Sequence, residues 1–261
     1  MSAGILDFDR DDQSSIRGAA ARKSISAQGM LRGAVGVGIG AALFFIAFPS
    51  LDLWVTRHLY LGDRRFVSSA TPLFDDLRLL FNLFFYGVCA LTLVGLVVAE
   101  RRANAWLGLR FNRWLFLALC FVIGPLVVTN IGFKDHWGRP RPRDVIEFGG
   151  RADYAPPFPP NRGKCEYNCS FVSGEASSAY IVLFAAAFLF PGLGRRLVAA
   201  GVVVGTAAGF VRMAQGGHFL SDVVFAGVLM AITAAAIQLL FECIETASLS
   251  AGADSIPEGP A

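Results

Sequence analysis

Three short polar runs contain most of the side chains in this 261-residue sequence that suit chemistry on an oxyanion. They occupy residues 134–143, 170–175 and 212–222, and each adjoins a long apolar stretch. Lysine and arginine bind groups that carry several anionic oxygens, and the backbone N–H groups at a helix start attract the same groups. The runs therefore predict a site for phosphoryl transfer, in which positioning and charge stabilisation dominate. The candidate phosphate-binding residues are Lys134, Arg141, Ser173, Gly174 and Arg212.

The third run also contains a candidate nucleophile. His218 and Asp222 are four residues apart, so they can meet on one helical face. A carboxylate on one imidazole nitrogen fixes the tautomer and leaves the other nitrogen free to attack. No carboxylate cluster suited to a metal ion accompanies the pair, so the sequence predicts a site with no metal and no cofactor. The alternatives are ordinary ones, because a histidine at a helix start is often a cap and terminal arginines often contact lipid headgroups.

The elements that must position these runs are apolar helices. The chain is 54% hydrophobic and only 16% charged, whereas soluble domains carry about 25% charged residues, which excludes a water-soluble monomer. Six stretches of 15 to 21 residues lack charge, and a membrane-spanning helix needs roughly 17–25 apolar residues. The predicted fold is therefore an all-α polytopic membrane bundle of about six transmembrane helices. The stretches are 33–51, 79–99, 114–133, 176–194, 197–211 and 223–241, of which 197–211 is short enough for a re-entrant helix.

Around this bundle the sequence predicts two tails and one long loop. Residues 1–30 are expected to be a flexible cytoplasmic tail, residues 31–241 the membrane domain, and residues 242–261 a flexible C-terminal tail. Basic residues in short loops favour the cytoplasmic side, which indicates a cytoplasmic N-terminus. Alternation of the spans then brings all three polar runs to the opposite face. The loops that favour this orientation contain Arg101, Arg102, Arg110, Arg113, Arg195 and Arg196.

The three runs resemble the signature of the phosphatidic acid phosphatase type 2 superfamily, K-x6-R-P, P-S-G-H and S-R-x5-H-x3-D. The resemblance covers about residues 30–241 and implies a six-helix membrane core with an active site at the outer membrane–water boundary. It further implies that His218 is the nucleophile of a phosphohistidine intermediate, oriented by Asp222, with the five residues above around the phosphoryl group. The matching positions are Lys134, Arg141, Pro142, Ser173, Gly174, Arg212, His218 and Asp222.

The second run departs from that signature, because Glu175 stands where the family has a histidine that protonates the leaving oxygen. Glu175 can act as a general acid only if its environment favours the protonated carboxyl group. His136 is a possible substitute acid, although packing at a helix end is its simpler role. A leaving group that needs little protonation is the third possibility.

The loop of about residues 134–175 is expected to recognise a headgroup as a flap. Long loops without secondary structure are often lids or binding loops, and Tyr154, Phe158 and Tyr167 are candidates for the membrane interface. Cys165 and Cys169 form a disulfide if the loop faces an oxidising periplasm, and two free thiols are the alternative.

These features together predict a phosphatase in a bacterial inner membrane, with its site facing the periplasm. The predicted substrate is an outer-leaflet amphiphile with a phosphorylated headgroup, and lipid A is favoured because a long polar loop suits a bulky sugar phosphate. A lipid phosphotransferase or a polyprenyl diphosphate phosphatase on the same scaffold is the nearest alternative. A non-catalytic lipid-binding or transport protein is the alternative of another class. No nucleic-acid partner is expected, and the oligomeric state is undetermined.

Overall fold

The computed structural model describes residues 25–102, 105–160 and 165–253, and in these residues the fold is a bundle of α-helices with one two-stranded hairpin. This architecture confirms the predicted all-α membrane bundle. The helices are α1 (Ala27–Ala47), α2 (Leu51–Arg57), α3 (Leu73–Arg102), α4 (Phe111–Phe121), α5 (Gly174–Leu189), α6 (Gly194–Ala214) and α7 (Leu220–Ala253). The strands are β1 (Tyr60–Gly62) and β2 (Arg65–Phe66), and a wide π-helix continues α4 over Val122–Lys134.

Five segments of the described chain are long and apolar enough to cross a membrane, and a sixth helix is shorter. The short one is α5 with 16 residues, whereas the sequence predicted that 197–211 would be short. Phe190 and a 3-10 turn at Pro191–Leu193 end α5 early, because proline cannot continue a helix. In contrast, α6 extends beyond the predicted stretch at both ends and includes Arg212 in its last turn.

Helix α5 lies at the centre of the bundle and packs mainly against α6 and α7. Its central position is possible because small residues let neighbouring backbones approach. At Gly205 of α6, an added Cβ would lie 2.3 Å from a ring carbon of Tyr180, so only glycine fits there. Close packing of small residues is how membrane helices associate when lipid removes the hydrophobic driving force.

A cap of short elements covers the end of the bundle where the polar runs lie. Phe66 of β2 and Phe219 pack with Val145 and Phe148 from the long loop, and all four are buried. The described part of the loop is therefore packed and contains two 3-10 turns, so it is not a loop without secondary structure; its role in headgroup recognition stays a prediction.

Aromatic residues of the loop also differ from their predicted interface positions. Tyr154 packs edge-on against Phe219 and donates a hydrogen bond to the Pro49 carbonyl, while Phe158 contacts core rings. Only Tyr167 is strongly exposed, at 80%.

The ends of the domain differ from their predicted boundaries as well. Helix α1 begins inside the predicted N-terminal tail, and most of that tail, residues 1–24, lies outside the described residues. Helix α7 continues past residue 241 to Ala253, so the first part of the predicted flexible C-terminal tail is helical. Residues 254–261 lie outside the described residues.

Candidate active site

The structure brings the three polar runs together at one end of the bundle, as the alternation of spans predicted. Lys134 ends the π-helix, Ser173 precedes the first turn of α5, and Arg212 lies in the last turn of α6. His218 lies in the turn between α6 and α7, and Asp222 lies in the first turn of α7. Helix ends supply these side chains, so the rigid helices fix the site.

His218 is buried and held by one ring nitrogen. Its Nδ1 lies 2.7 Å from the Ser170 carbonyl oxygen, which can only accept, so Nδ1 carries the proton. Its Nε2 is buried with no hydrogen-bond partner among the described residues and therefore presents its lone pair to the site. Burial lowers the pKa of His218 from its ordinary value, although the Asp222 and Glu175 carboxylates oppose the effect. A neutral imidazole of this tautomer is suited to nucleophilic attack through Nε2.

Asp222 approaches His218 less closely than the sequence predicted. Its Oδ2 lies 3.6 Å from Nδ1, beyond hydrogen-bond distance, so the direct partner that sets the ring is the Ser170 carbonyl. The Asp222 carboxylate instead accepts hydrogen bonds from the Ser170 hydroxyl and the Phe219 backbone N–H. It thus fixes both segments that flank the imidazole and places a negative charge beside it.

Behind Asp222 lies a buried ion network that the sequence interpretation missed. Arg139 is fully buried and pairs with Asp222 at 2.5 Å and with Asp52 of α2 at 2.7 Å. It also donates to the Ser221 hydroxyl and the Ala155 carbonyl. Burial opposes the charge of Arg139, but Asp222 and then Asp52 outweigh burial and raise its pKa. The sequence does contain one sign of this network, because Asp52 is a charged residue directly after an apolar span. From the sequence alone, Asp52 was used only to define where that span ends.

The phosphate-binding candidates lie at the same end of the bundle as His218, and Arg212 is linked to its Nε2 side through Glu175. An added Cβ at Gly174 would lie 2.8 Å from Lys134 Nζ, so the glycine leaves room for the ammonium group at the start of α5. Ser173 Oγ, like His218 Nε2, is buried without a hydrogen bond in the described structure, whereas Arg212 Nε forms an ion pair with Glu175 at 3.1 Å. Buried polar atoms are normally paired, so two unpaired atoms in one site mark a position that suits a polar ligand.

Arg141 borders the site and is held by the segment that contains the two loop cysteines. Its guanidinium donates to the backbone carbonyl and the side-chain oxygen of Asn168. Cys165 and Cys169 are joined in a disulfide, the first of the two alternatives that the sequence left open. The bond therefore closes the turn that positions Arg141.

Glu175 lies directly opposite the nucleophile and is held by two arginines. Arg78 Nη2 donates to its Oε1 at 3.2 Å, and Arg212 Nε forms an ion pair with the same oxygen at 3.1 Å. The other oxygen, Oε2, lies 3.9 Å from His218 Nε2. These two guanidinium groups favour the ionised form of the Glu175 carboxylate, and an ionised carboxylate accepts hydrogen bonds but has no proton to donate. Arg78, from α3, lies outside the three runs and was not predicted.

His136, the other candidate acid, lies apart from this arrangement. It is exposed, and its Nδ1 bonds the Ile131 carbonyl at 2.8 Å at the end of the π-helix. The structure therefore supports the role of helix-end packing. Within the described residues, no three His, Cys, Asp or Glu side chains converge as they would to hold a metal ion.

Residues 113–245 match the PAP2 superfamily. The chain belongs to this superfamily. That match confirms the resemblance predicted from the three runs, and it covers all three of them. No solved structure gives a significant match to the chain.

Three similar bacterial proteins have the same name, lipid A 4'-phosphatase. A lipid A 4'-phosphatase of Francisella tularensis subsp. novicida is 38% identical over 200 residues, which cover 74% of this chain and 87% of that protein. Lipid A 4'-phosphatases of Rhizobium leguminosarum and Rhizobium etli are each 31% identical over 211 residues, covering 76% of this chain and 90% and 82% of those proteins.

Proposed function

We propose that this PAP2 superfamily protein hydrolyses the 4'-phosphate monoester of lipid A through a phosphohistidine at His218, without a metal ion. The family, the apolar helices and the relatives support an integral-membrane lipid phosphatase of a bacterial inner membrane. The observation that carries the mechanism is the unpaired, buried Nε2 of His218, with the unpaired hydroxyl of Ser173 and the guanidinium of Arg212 in the same site. Together they can offer two hydrogen-bond donors and one nucleophile to an oxyanion.

In the first step, His218 Nε2 attacks phosphorus as the bond from phosphorus to the sugar oxygen breaks. Lys134, Arg141, Arg212 and the N-terminus of α5 stabilise the charge that spreads over the phosphoryl oxygens. The Ser170 carbonyl, which accepts from Nδ1–H, stabilises the positive charge that develops on the ring. The sugar oxygen leaves with a proton and becomes the free hydroxyl of the product.

Glu175 supplies that proton in this proposal. In the structure its carboxylate makes the two arginine contacts that a phosphate would make. Once a phosphate replaces it on Arg78 and Arg212, Glu175 is a carboxylate beside another anion, and like charge favours its protonated form. Substrate binding thus converts Glu175 from an acceptor into an acid.

In the second step, a water molecule attacks the phosphohistidine. Glu175, now ionised, accepts the proton of that water, the bond from Nε2 to phosphorus breaks, and inorganic phosphate leaves. His218 regains its starting form. If an acceptor lipid replaced water, the same step would be phosphotransfer, which labelled phosphate on a lipid product would reveal.

For the orientation, we propose a cytoplasmic N-terminus and a site that faces the periplasm. The helix ends opposite the site contain Arg101 and Arg102 of α3 and Arg195 and Arg196 of α6, as expected of a cytoplasmic face. The disulfide between Cys165 and Cys169 lies on the site's side and suits an oxidising compartment.

The test is a substrate panel on purified protein. We expect phosphate release from lipid A with loss of the 4'-phosphate by mass spectrometry, little release from polyprenyl diphosphate, and none with His218→Ala. His58→Ala is the matched control, because His58 is exposed at the end of α2 and bonds only the Trp54 carbonyl. Absence of release from lipid A would overturn the substrate, and unchanged release by His218→Ala would overturn the mechanism.

A further inference from the structure

A crevice leads from the phosphate site into the membrane-level part of the bundle. It has a volume of about 340 Å3 and lies between α3, the π-helix and α5, with Arg78, Lys134 and Glu175 at its upper end. Its lower walls include the rings of Phe85 and Tyr86. The crevice thus passes from charged to apolar surroundings, as an amphiphile does.

Three uncharged polar side chains line the crevice between these two ends: Asn82, Asn130 and Ser178. Each lies four residues from a residue of the phosphate site on its own helix, since Asn82 follows Arg78, Asn130 precedes Lys134 and Ser178 follows Gly174. Residues four apart share a helical face. Each of the three helical segments that supply a residue to the phosphate site therefore also places one neutral hydrogen-bonding side chain in the crevice, one turn further from that site.

None of these three side chains has a hydrogen-bond partner in the part of the chain that the structure describes, and all three are half-buried. Polar side chains at membrane depth are costly to leave unpaired, and they are rare where they serve no function. A neighbouring pair shows the contrast, because Thr129 and Ser177 bond each other at 3.0 Å inside the core. The core pair thus satisfies its hydroxyl groups internally, whereas the three side chains in the crevice are left free for a ligand.

We propose that the crevice binds the uncharged, hydrogen-bonding part of the substrate that adjoins the phosphate, namely the amide and hydroxyl groups of an acylated amino sugar. Asn82, Asn130 and Ser178 are its specificity-determining residues, and an acyl chain continues over Phe85 and Tyr86. This inference rests on the proposed function, since lipid A has such groups beside its 4'-phosphate. A substrate that lacks them, such as a long-chain alkyl phosphate, uses only the phosphate site.

The experiment compares lipid A with hexadecyl phosphate in one detergent, using Asn82→Leu, Asn130→Leu and Ser178→Ala. One neutral hydrogen bond is worth about tenfold in a binding or rate constant. We expect each variant to lose about tenfold in kcat/KM on lipid A while kcat/KM on hexadecyl phosphate changes less than threefold. Retained hydrolysis of hexadecyl phosphate also demonstrates that each variant is folded.

Asn112→Leu is the matched control, because Asn112 lies at the other end of the same transmembrane segment as Asn130 and is exposed. It is expected to change neither substrate. Equal losses on both substrates, or no loss on lipid A, would overturn the crevice assignment while leaving lipid A hydrolysis by the parent protein intact. If the parent protein hydrolyses hexadecyl phosphate but not lipid A, the proposed function fails and this inference fails with it.

Discussion

Replacing Arg139 by leucine tests whether the buried ion network supports the nucleophile. Arg139 has no exposed surface and is the cation that both Asp52 and Asp222 contact. Removing it leaves two buried carboxylates without a counter-charge. Breaking a buried ion pair by removing one partner costs about 3–5 kcal/mol. In a protein of this size, 1 kcal/mol shifts the melting temperature by roughly 2–4 °C, so we expect a fall of about 6 to 20 °C.

The assay measures thermal unfolding in detergent, monitored by tryptophan fluorescence, with Arg65→Leu as the control. Arg65 pairs with Asp63 at 3.6 Å, but both side chains are largely exposed, and exposed pairs contribute about 0–1 kcal/mol. The double variant Arg139→Leu/Asp52→Leu is expected to melt above Arg139→Leu, because it contains one unpaired carboxylate fewer. A melting temperature of Arg139→Leu within about 2 °C of the parent, or additive losses in the double variant, would refute the reasoning.

Three further predictions concern the site itself. Glu175→Gln is expected to lower kcat by about 100-fold, because general acids contribute roughly 100- to 10,000-fold to the rate. KM is not expected to rise, because a neutral amide competes less than a carboxylate for the two arginines. Retained turnover would exclude Glu175 as the acid. Burial lowers the pKa of His218, and only the neutral ring attacks. The fall of kcat/KM toward acid pH is therefore expected to have its midpoint below about pH 6.5, the ordinary histidine value. A midpoint above that value would contradict a buried neutral nucleophile. Cys165→Ser is expected to raise KM more than it lowers kcat, because loss of the disulfide frees the turn at Asn168 that holds Arg141. An unchanged KM in steady-state kinetics would disprove this link between the disulfide and Arg141.

The sequence predicted the fold and the convergence of the three polar runs because both depend on local patterns. Charge-free stretches mark membrane helices whatever their packing, and alternating spans are enough to bring Lys134, Ser173 and His218 to one membrane face. Helix lengths were less predictable, since the break after α5 depends on Phe190 and Pro191, which lie within an uncharged stretch.

The missed residues depend on contacts between distant parts of the chain. Asp52 meets Ser221 across 169 residues, and Arg78 meets Glu175 across 97, and neither pairing has a local signature. The partner of His218 Nδ1 is a backbone carbonyl, and any residue type can supply one. The spacing of four residues therefore predicted Asp222 as the hydrogen-bond partner of His218 Nδ1, whereas the Ser170 backbone carbonyl makes that contact.

The central claim is that His218 Nε2 takes the phosphoryl group before water does. The steric course at phosphorus tests it most directly, using lipid A with an isotopically chiral 4'-thiophosphate hydrolysed in isotopically labelled water. Two successive in-line displacements, first by His218 and then by water, predict net retention of configuration. Net inversion would mean that water attacks the substrate directly, and it would contradict the phosphohistidine mechanism.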